Sequence, residues 1–162
     1  MTKLFYTLIF LFTFTIIFCQ ERLPNLSLKN LKGDLINLSE LENNGKPIVI
    51  NFWSTYCSPC KRELNCINEL YPEWIEETGV KIYAISIDDQ RTIDRVKPLV
   101  YANNWEYEIL YDHNGDLRRS LGVNTIPFTL LLDGNGVIVW KHNNYNPGDE
   151  EELYKKLKEV SK

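Results

Sequence analysis

The chain has no run of lysine or arginine, no basic patch and no interleaving of basic with aromatic residues. It therefore carries no footprint of nucleic-acid binding. Internal repeats and low-complexity linkers are absent as well, in keeping with the single domain that 162 residues indicate. Metal ligands are scarce. A tetrahedral zinc site wants four, and beyond the close pair Cys57 and Cys60 the mature part of the chain offers only Cys66, His113 and His142, scattered over different segments. No metal and no cofactor is expected, and the two histidines read as surface residues in or beside loops. Charge is modest at −4, and contents of 44% hydrophobic and 25% charged residues are ordinary for a globular core.

One long apolar run is present, Leu4 to Phe18, preceded by Lys3 and followed by Cys19-Gln20-Glu21-Arg22. As a helix its fifteen residues would span roughly 22 Å, short of the ~30 Å hydrocarbon core of a bilayer. A positive start, a short apolar region and a small residue at its end describe a secretory signal peptide over residues 1–19, cleaved after Cys19. The rivals are a retained membrane anchor and lipidation at Cys19, the latter disfavoured by bulky Phe18. Removing residues 1–19 takes one lysine and no acids, leaving 17 basic and 22 acidic residues and a formal charge of −5. Export places Cys57, Cys60 and Cys66 where a disulfide can persist. Cys66 lies roughly 9 Å along a helix from Cys60, too far to bridge to it, and reads as a small half-buried apolar residue.

The stretch Ile48 to Leu64 organises the rest. Its apolar, β-branched start reads as a buried strand, and it turns through small and aromatic residues into Cys57-Ser58-Pro59-Cys60. Pro59 suits the first turn of a helix, where a missing N–H costs nothing. Cys57 then sits at a helix N-terminus, whose unpaired N–H groups and dipole favour a thiolate and pull the thiol below its free value of ~8.5. Lys61 and Arg62 add positive charge. An activated thiol with a second within closing distance is a dithiol–disulfide couple.

In chain order, Leu23–Leu28 and Leu35–Leu38 about Gly33 read as a β-hairpin, with Ser39 as the N-cap of a short helical turn. The cysteine helix buries Leu64, Ile67, Tyr71 and Trp74 on one face, and Pro72 is expected to kink or end it near Tyr71. Val80–Ile87 is a second strand with Asp88-Asp89-Gln90 as its exit loop. Arg91–Trp105 is a weaker helix interrupted by Pro98, and Tyr107–Tyr111 is a short strand. Asp112–Gly115 is a turn, and Leu117–Leu121 a short helix. Phe128–Leu132 and Val137–Trp140 form a terminal hairpin about Asp133-Gly134-Asn135-Gly136. Glu150–Val160 is the last helix, acidic at its start, basic at its end and supported by Glu151–Lys155 and Glu152–Lys156 pairs. The expectation is an α/β fold with a central mixed sheet, parallel at its middle and flanked by helices.

With Cys57-Ser58-Pro59-Cys60 and Ile126-Pro127 both in view, the chain resembles the thioredoxin fold, and more narrowly the exported TlpA/ResA-like thiol–disulfide oxidoreductases. The likeness spans Leu23 to Val160 and includes the added N-terminal β-hairpin and the run Asn51 to Glu63. It implies that Cys57 is the nucleophile, Cys60 the resolving thiol and Glu63 an acid kept close to the dithiol. It implies that Pro127 is a cis-proline against the disulfide, with Ile126 offering backbone to an extended substrate beside the aromatic residues Trp53 and Tyr56. Tyr56 stands where tryptophan is usual, and Phe128 follows the proline where threonine is common, which would alter the groove; Ser54 replaces a smaller residue without evident consequence.

The implied activity is reduction of disulfides in exported proteins by thiol–disulfide exchange in the cell envelope. A membrane thiol reductase is the implied electron donor, and apocytochrome c or other exported cysteine proteins are the implied substrates of a monomeric enzyme. Proline before the second cysteine leans toward reductase, although couples of this type span about −270 to −120 mV. The alternatives are a peroxiredoxin-like thiol peroxidase, against which Thr55 lies two rather than three residues before Cys57, and a non-enzymatic redox-sensing or binding module. A purely structural disulfide would close too short a loop to gain much. Glu63 could instead be a solvated partner for a lysine or arginine. Asn25 and Asn37 open N-x-S triplets that read as chance matches.

Overall fold

The structure, a computed structural model, describes residues 20–161. The expected signal peptide and cleavage after Cys19 fall outside the described residues. Among the described residues no helix is long and apolar enough to cross a membrane.

Seven strands form one sheet: β1 (Ser27–Asn30), β2 (Leu35–Asn37), β3 (Ile48–Trp53), β4 (Lys81–Ser86), β5 (Glu108–Tyr111), β6 (Phe128–Leu132) and β7 (Ile138–Asn143). Their spatial order is β2-β1-β5-β4-β3-β6-β7. The β3–β4 and β4–β5 pairs are parallel, while β1–β2, β1–β5, β3–β6 and β6–β7 are antiparallel. β3 is buried at every position, as a central strand covered on both faces must be. Its alternate side chains feed two cores. Val49 and Trp53 pack with Leu64, Ile67 and Trp74 of α1 (Ser58–Thr78), Val96 and Val100 of α2 (Val96–Ala102), and Leu153 and Leu157 of α4 (Asp149–Val160). Ile48, Ile50 and Phe52 face the other way, toward Leu28, Leu38 and Leu117, the last on α3 (Asp116–Ser120). This mixed sheet with helices on both faces and an N-terminal hairpin is the expected thioredoxin-like architecture.

Three local expectations need correction. Pro72 does not end the cysteine helix near Tyr71: α1 runs on to Thr78. An interior proline costs about 3 kcal/mol, but Pro72 is on the exposed face while Trp74 and Thr78 beyond it are buried, and burying a large aromatic outweighs that cost. Gly79 then closes the helix with φ +68°, its N–H donating to the Ile75 carbonyl, a left-handed cap suited to glycine. Pro98 does not interrupt a helix, because α2 begins at Val96 and the proline falls in its first turn, where an N–H has no partner to lose. Ser39 is not the cap of the turn Leu38–Glu40; Asn37 is, its side chain accepting from the Ser39 amide at 3.1 Å.

Candidate active site

β3 delivers the chain to the top of the sheet, and α1 starts immediately after Cys57, which is its N-cap. Cys57 and Cys60 are joined as a disulfide, with Cα atoms 5.3 Å apart. Cys57 Sγ also accepts the Cys60 amide at 3.2 Å, so a helix N–H points at the sulfur that would carry a thiolate. Cys60 is wholly buried, whereas Cys57 keeps 8% of its surface and neighbouring Tyr56 keeps 64%. The pair is thus asymmetric, Cys57 keeping a little exposed surface and Cys60 none. Cys66 is unbridged and half-buried, as expected.

Glu63 lies one helical turn beyond Cys60 and points into the protein, 4% exposed. Among the described residues it has no salt bridge to lysine or arginine. Its Oε2 accepts from Asn51 Nδ2 at 2.9 Å and its Oε1 from the Thr129 hydroxyl at 2.9 Å, while Asn51 Nδ2 also donates to Thr129 at 2.9 Å. Asn51 and Thr129 are directly opposed in the β3–β6 ladder, so their side chains leave the same face of the sheet, toward α1. Burial pushes the Glu63 carboxyl up to about 7; the hydrogen bonds from Asn51 and Thr129 and the nearby His142 pull it down, and Asp149 adds to the rise. A carboxyl balanced near neutrality beside a dithiol can take or give a proton at working pH.

A second polar cluster holds the loop before Cys57. Asp88, fully buried just past β4, accepts from the Thr55 amide at 2.9 Å, the Thr55 hydroxyl at 2.5 Å and the Ser86 hydroxyl at 2.9 Å. The loop is fastened to the neighbouring strand two residues before the cysteine. Asn51 Oδ1, Trp53 Nε1 and Ser54 Oγ are buried without a hydrogen-bond partner among the described residues. Such orphans are rare in proteins, and three in four residues mark this end of β3 as unlike the rest of the core.

Ile126-Pro127 is a cis peptide, as expected. The Phe52–Phe128 pair of the β3–β6 ladder sets Pro127 level with Trp53, at the disulfide's end of the sheet. Ile126 is half-buried and Pro127 buried. Phe128 faces away from α1 and packs edge-on against Phe52, centroids 6.3 Å apart, so it supports the opposite core rather than reshaping the groove. The expectation that Trp53 touches substrate fails on burial. It has no exposed surface and packs edge-on against Trp105 at 5.0 Å, beneath the site rather than in it. Tyr56 is exposed, and the groove beyond it, about 490 Å³, is lined by Asp89, Arg91, His113, Arg118 and Arg119. His142 is not a loop residue but lies in β7, half-buried, with its Nε2 3.0 Å from Asp149 Oδ2. Asn51, Asp88 and Thr129 were not singled out by sequence; the signal was a polar residue inside, or at the end of, an otherwise apolar strand.

Comparison with known proteins agrees with this geometry. The AhpC/TSA family matches residues 19–141. The thiol-disulfide oxidoreductase ResA of Bacillus thuringiensis is 32% identical over 133 residues, covering 82% of this chain and 74% of the relative. That of Halalkalibacterium halodurans is 33% identical over 147 residues, covering 88% and 76%. Among solved structures, an uncharacterized thioredoxin-like protein from Porphyromonas gingivalis is 48% identical with a TM-score of 0.77, covering 86% of this chain and 91% of its own. StoA from Bacillus subtilis shares the fold, with a TM-score of 0.64 at 22% identity over 82% of this chain and 99% of its own. A Cys57–Cys60 disulfide on a thioredoxin-like sheet, with relatives of this closeness, places the chain in the AhpC/TSA family, among its ResA-like thiol–disulfide oxidoreductases.

Proposed function

We propose that this oxidoreductase works as a reductase outside the cytoplasm, using Cys57 as nucleophile, Cys60 as resolving thiol and Glu63 as the base that serves Cys60. The Cys57 thiolate attacks a substrate disulfide, forming a mixed disulfide and releasing one substrate thiolate. Glu63 takes the Cys60 proton, the Cys60 sulfur attacks Cys57 Sγ, and the second substrate thiolate leaves as the Cys57–Cys60 disulfide forms. The substrate is oxidised protein cysteine, reduced by two electrons, and a thiol donor must return those electrons. Tyr56 and the Ile126–Pro127 backbone line the approach to Cys57. Residues 1–19 act as an export signal, so substrates are disulfides of exported proteins and the donor is a membrane thiol reductase.

The observation that carries this reading is the buried Glu63, held by Asn51 and Thr129 one turn from the inaccessible sulfur. A peroxidase would need a hydroxyl turned to its thiolate, and the Thr55 hydroxyl is spent on Asp88. Trapping separates the two thiols. Cys60→Ser is expected to accumulate a mixed disulfide at Cys57 with a protein disulfide such as insulin, and Cys57→Ser to form none. Adducts at Cys60, or turnover by Cys57→Ser, would overturn the assignment.

A further inference from the structure

We propose that His142, clamped by Asp149, is a positioning residue that sets the charge on Glu63 from across the Thr129 position of the sheet. The β6–β7 register opposes Thr129 and His142 directly, so both side chains leave the face covered by α1 and α4. Thr129 reaches Glu63 with its hydroxyl. His142 turns toward α4, where its Nε2 meets Asp149 Oδ2 at 3.0 Å. The ring also stacks on Trp140, centroids 5.3 Å apart and planes 8° from parallel. Asp149 is fixed in turn, accepting the Asn146 amide at 2.7 Å. Burial raises the Asp149 carboxyl, but the Asn146 amide and His142 outweigh it and hold the group below its ordinary value. The imidazole is therefore pinned by a stack and an anion, with about a quarter of its side chain open to solvent.

Among the described residues no lysine or arginine pairs with Glu63. The titratable groups that bear on it are Tyr107 just before β5, His142 from β7 and Asp149 from α4. Of these only His142 can become a cation. When the ring is protonated it favours the carboxylate, and when neutral it does not. Asp149 opposes that help directly while holding the ring in place. The consequence is that Glu63 stays ionised to lower pH than burial alone would allow, which extends the base into mildly acidic surroundings. Only that catalytic consequence rests on the function proposed above, since the coupling can be read without turnover.

The test follows the Glu63 side-chain carboxyl carbon by NMR in the oxidised full chain, its resonance assigned with Glu63→Gln. In His142→Gln the midpoint is expected to rise by roughly half to one pH unit, the scale of one partly screened charge. In His142→Lys, which keeps a cation throughout, it is expected at or below the wild-type value. An unchanged midpoint in His142→Gln, or equal shifts of one sign in both variants, would overturn the proposal. Coupling is reciprocal, so Glu63→Gln must lower the His142 midpoint by a matching amount. This second readout stands even if a His142 variant does not fold, and an unmoved His142 midpoint is equally fatal. If these shifts appear while Glu63→Gln turns over like wild type, the base role fails and the coupling stands.

Discussion

The Thr129 hydroxyl donates to Glu63 Oε1 at 2.9 Å, joining the strand that follows the cis-proline to the helix that carries both cysteines. Sixty-six residues separate the two in sequence. Their contact makes the acid part of the sheet's own packing, so its proton affinity is set by the fold and not by solvent.

Glu63 should leave a signature in stability against pH. Its ordinary value is 4.5 and its value in the oxidised protein about 7. Between these, the unfolded chain is ionised and the folded one protonated, so the folded state binds more protons and stability falls as pH rises. The favourable contribution is complete below about pH 4.5 and is lost by the time pH passes 7. The loss is on the order of 3 kcal/mol. Urea denaturation of the oxidised protein at stepped pH should show this slope, and Glu63→Gln should abolish it. Parallel slopes for the two proteins would contradict a raised carboxyl.

Tyr56 offers the opposite balance. It is 64% exposed beside Cys57. Tyr56→Ala should change stability by less than about 0.5 kcal/mol. It should lower kcat/KM for protein disulfides several-fold, chiefly through KM. Unaltered kinetics with large proteins would remove Tyr56 from the substrate surface.

Asp88→Ala strips the acceptor from the Thr55 amide and from the hydroxyls of Thr55 and Ser86 in one change. Buried donors left without a partner cost ~1–3 kcal/mol each, and partial relaxation should bring the total to about 3 kcal/mol. Because the loss falls on the loop before Cys57, the alkylation rate of that thiol in the reduced protein should change together with the denaturation midpoint. A stability loss with unchanged Cys57 reactivity would show that the clamp is structural only.

Pro72 should be replaceable at a gain. The position is exposed and inside α1. Pro72→Ala restores a helix N–H and should stabilise the protein by about 1–2 kcal/mol, part of the ~3 kcal/mol that an interior proline costs. A thermal midpoint at or below wild type would mean the helix has adapted fully to the proline.

Most of the frame was legible in local pattern. Ile48–Trp53 as a buried strand, Pro59 in a first turn, the paired cysteines and Ile126-Pro127 each announce themselves within a few residues. What local pattern cannot carry is pairing across the sheet. Asn51 looks like an interruption of an apolar strand and Thr129 like an ordinary β-branched residue until the ladder sets them face to face under Glu63. Asp88 reads as loop polarity until β4 places it beside Thr55. His142 was misplaced for a related reason: β7 extends to Asn143, beyond the apolar stretch that ends at Trp140. Pro72 misled because helix propensity is a local quantity and the burial of Trp74 is a tertiary one.

The reduction potential of the Cys57–Cys60 couple in defined thiol buffers tests the proposed direction of electron flow most directly. A value near or below about −230 mV is expected, as for a reductant recharged by a donor of its own compartment. A value near about −120 mV would mark an oxidant and contradict the reductase assignment.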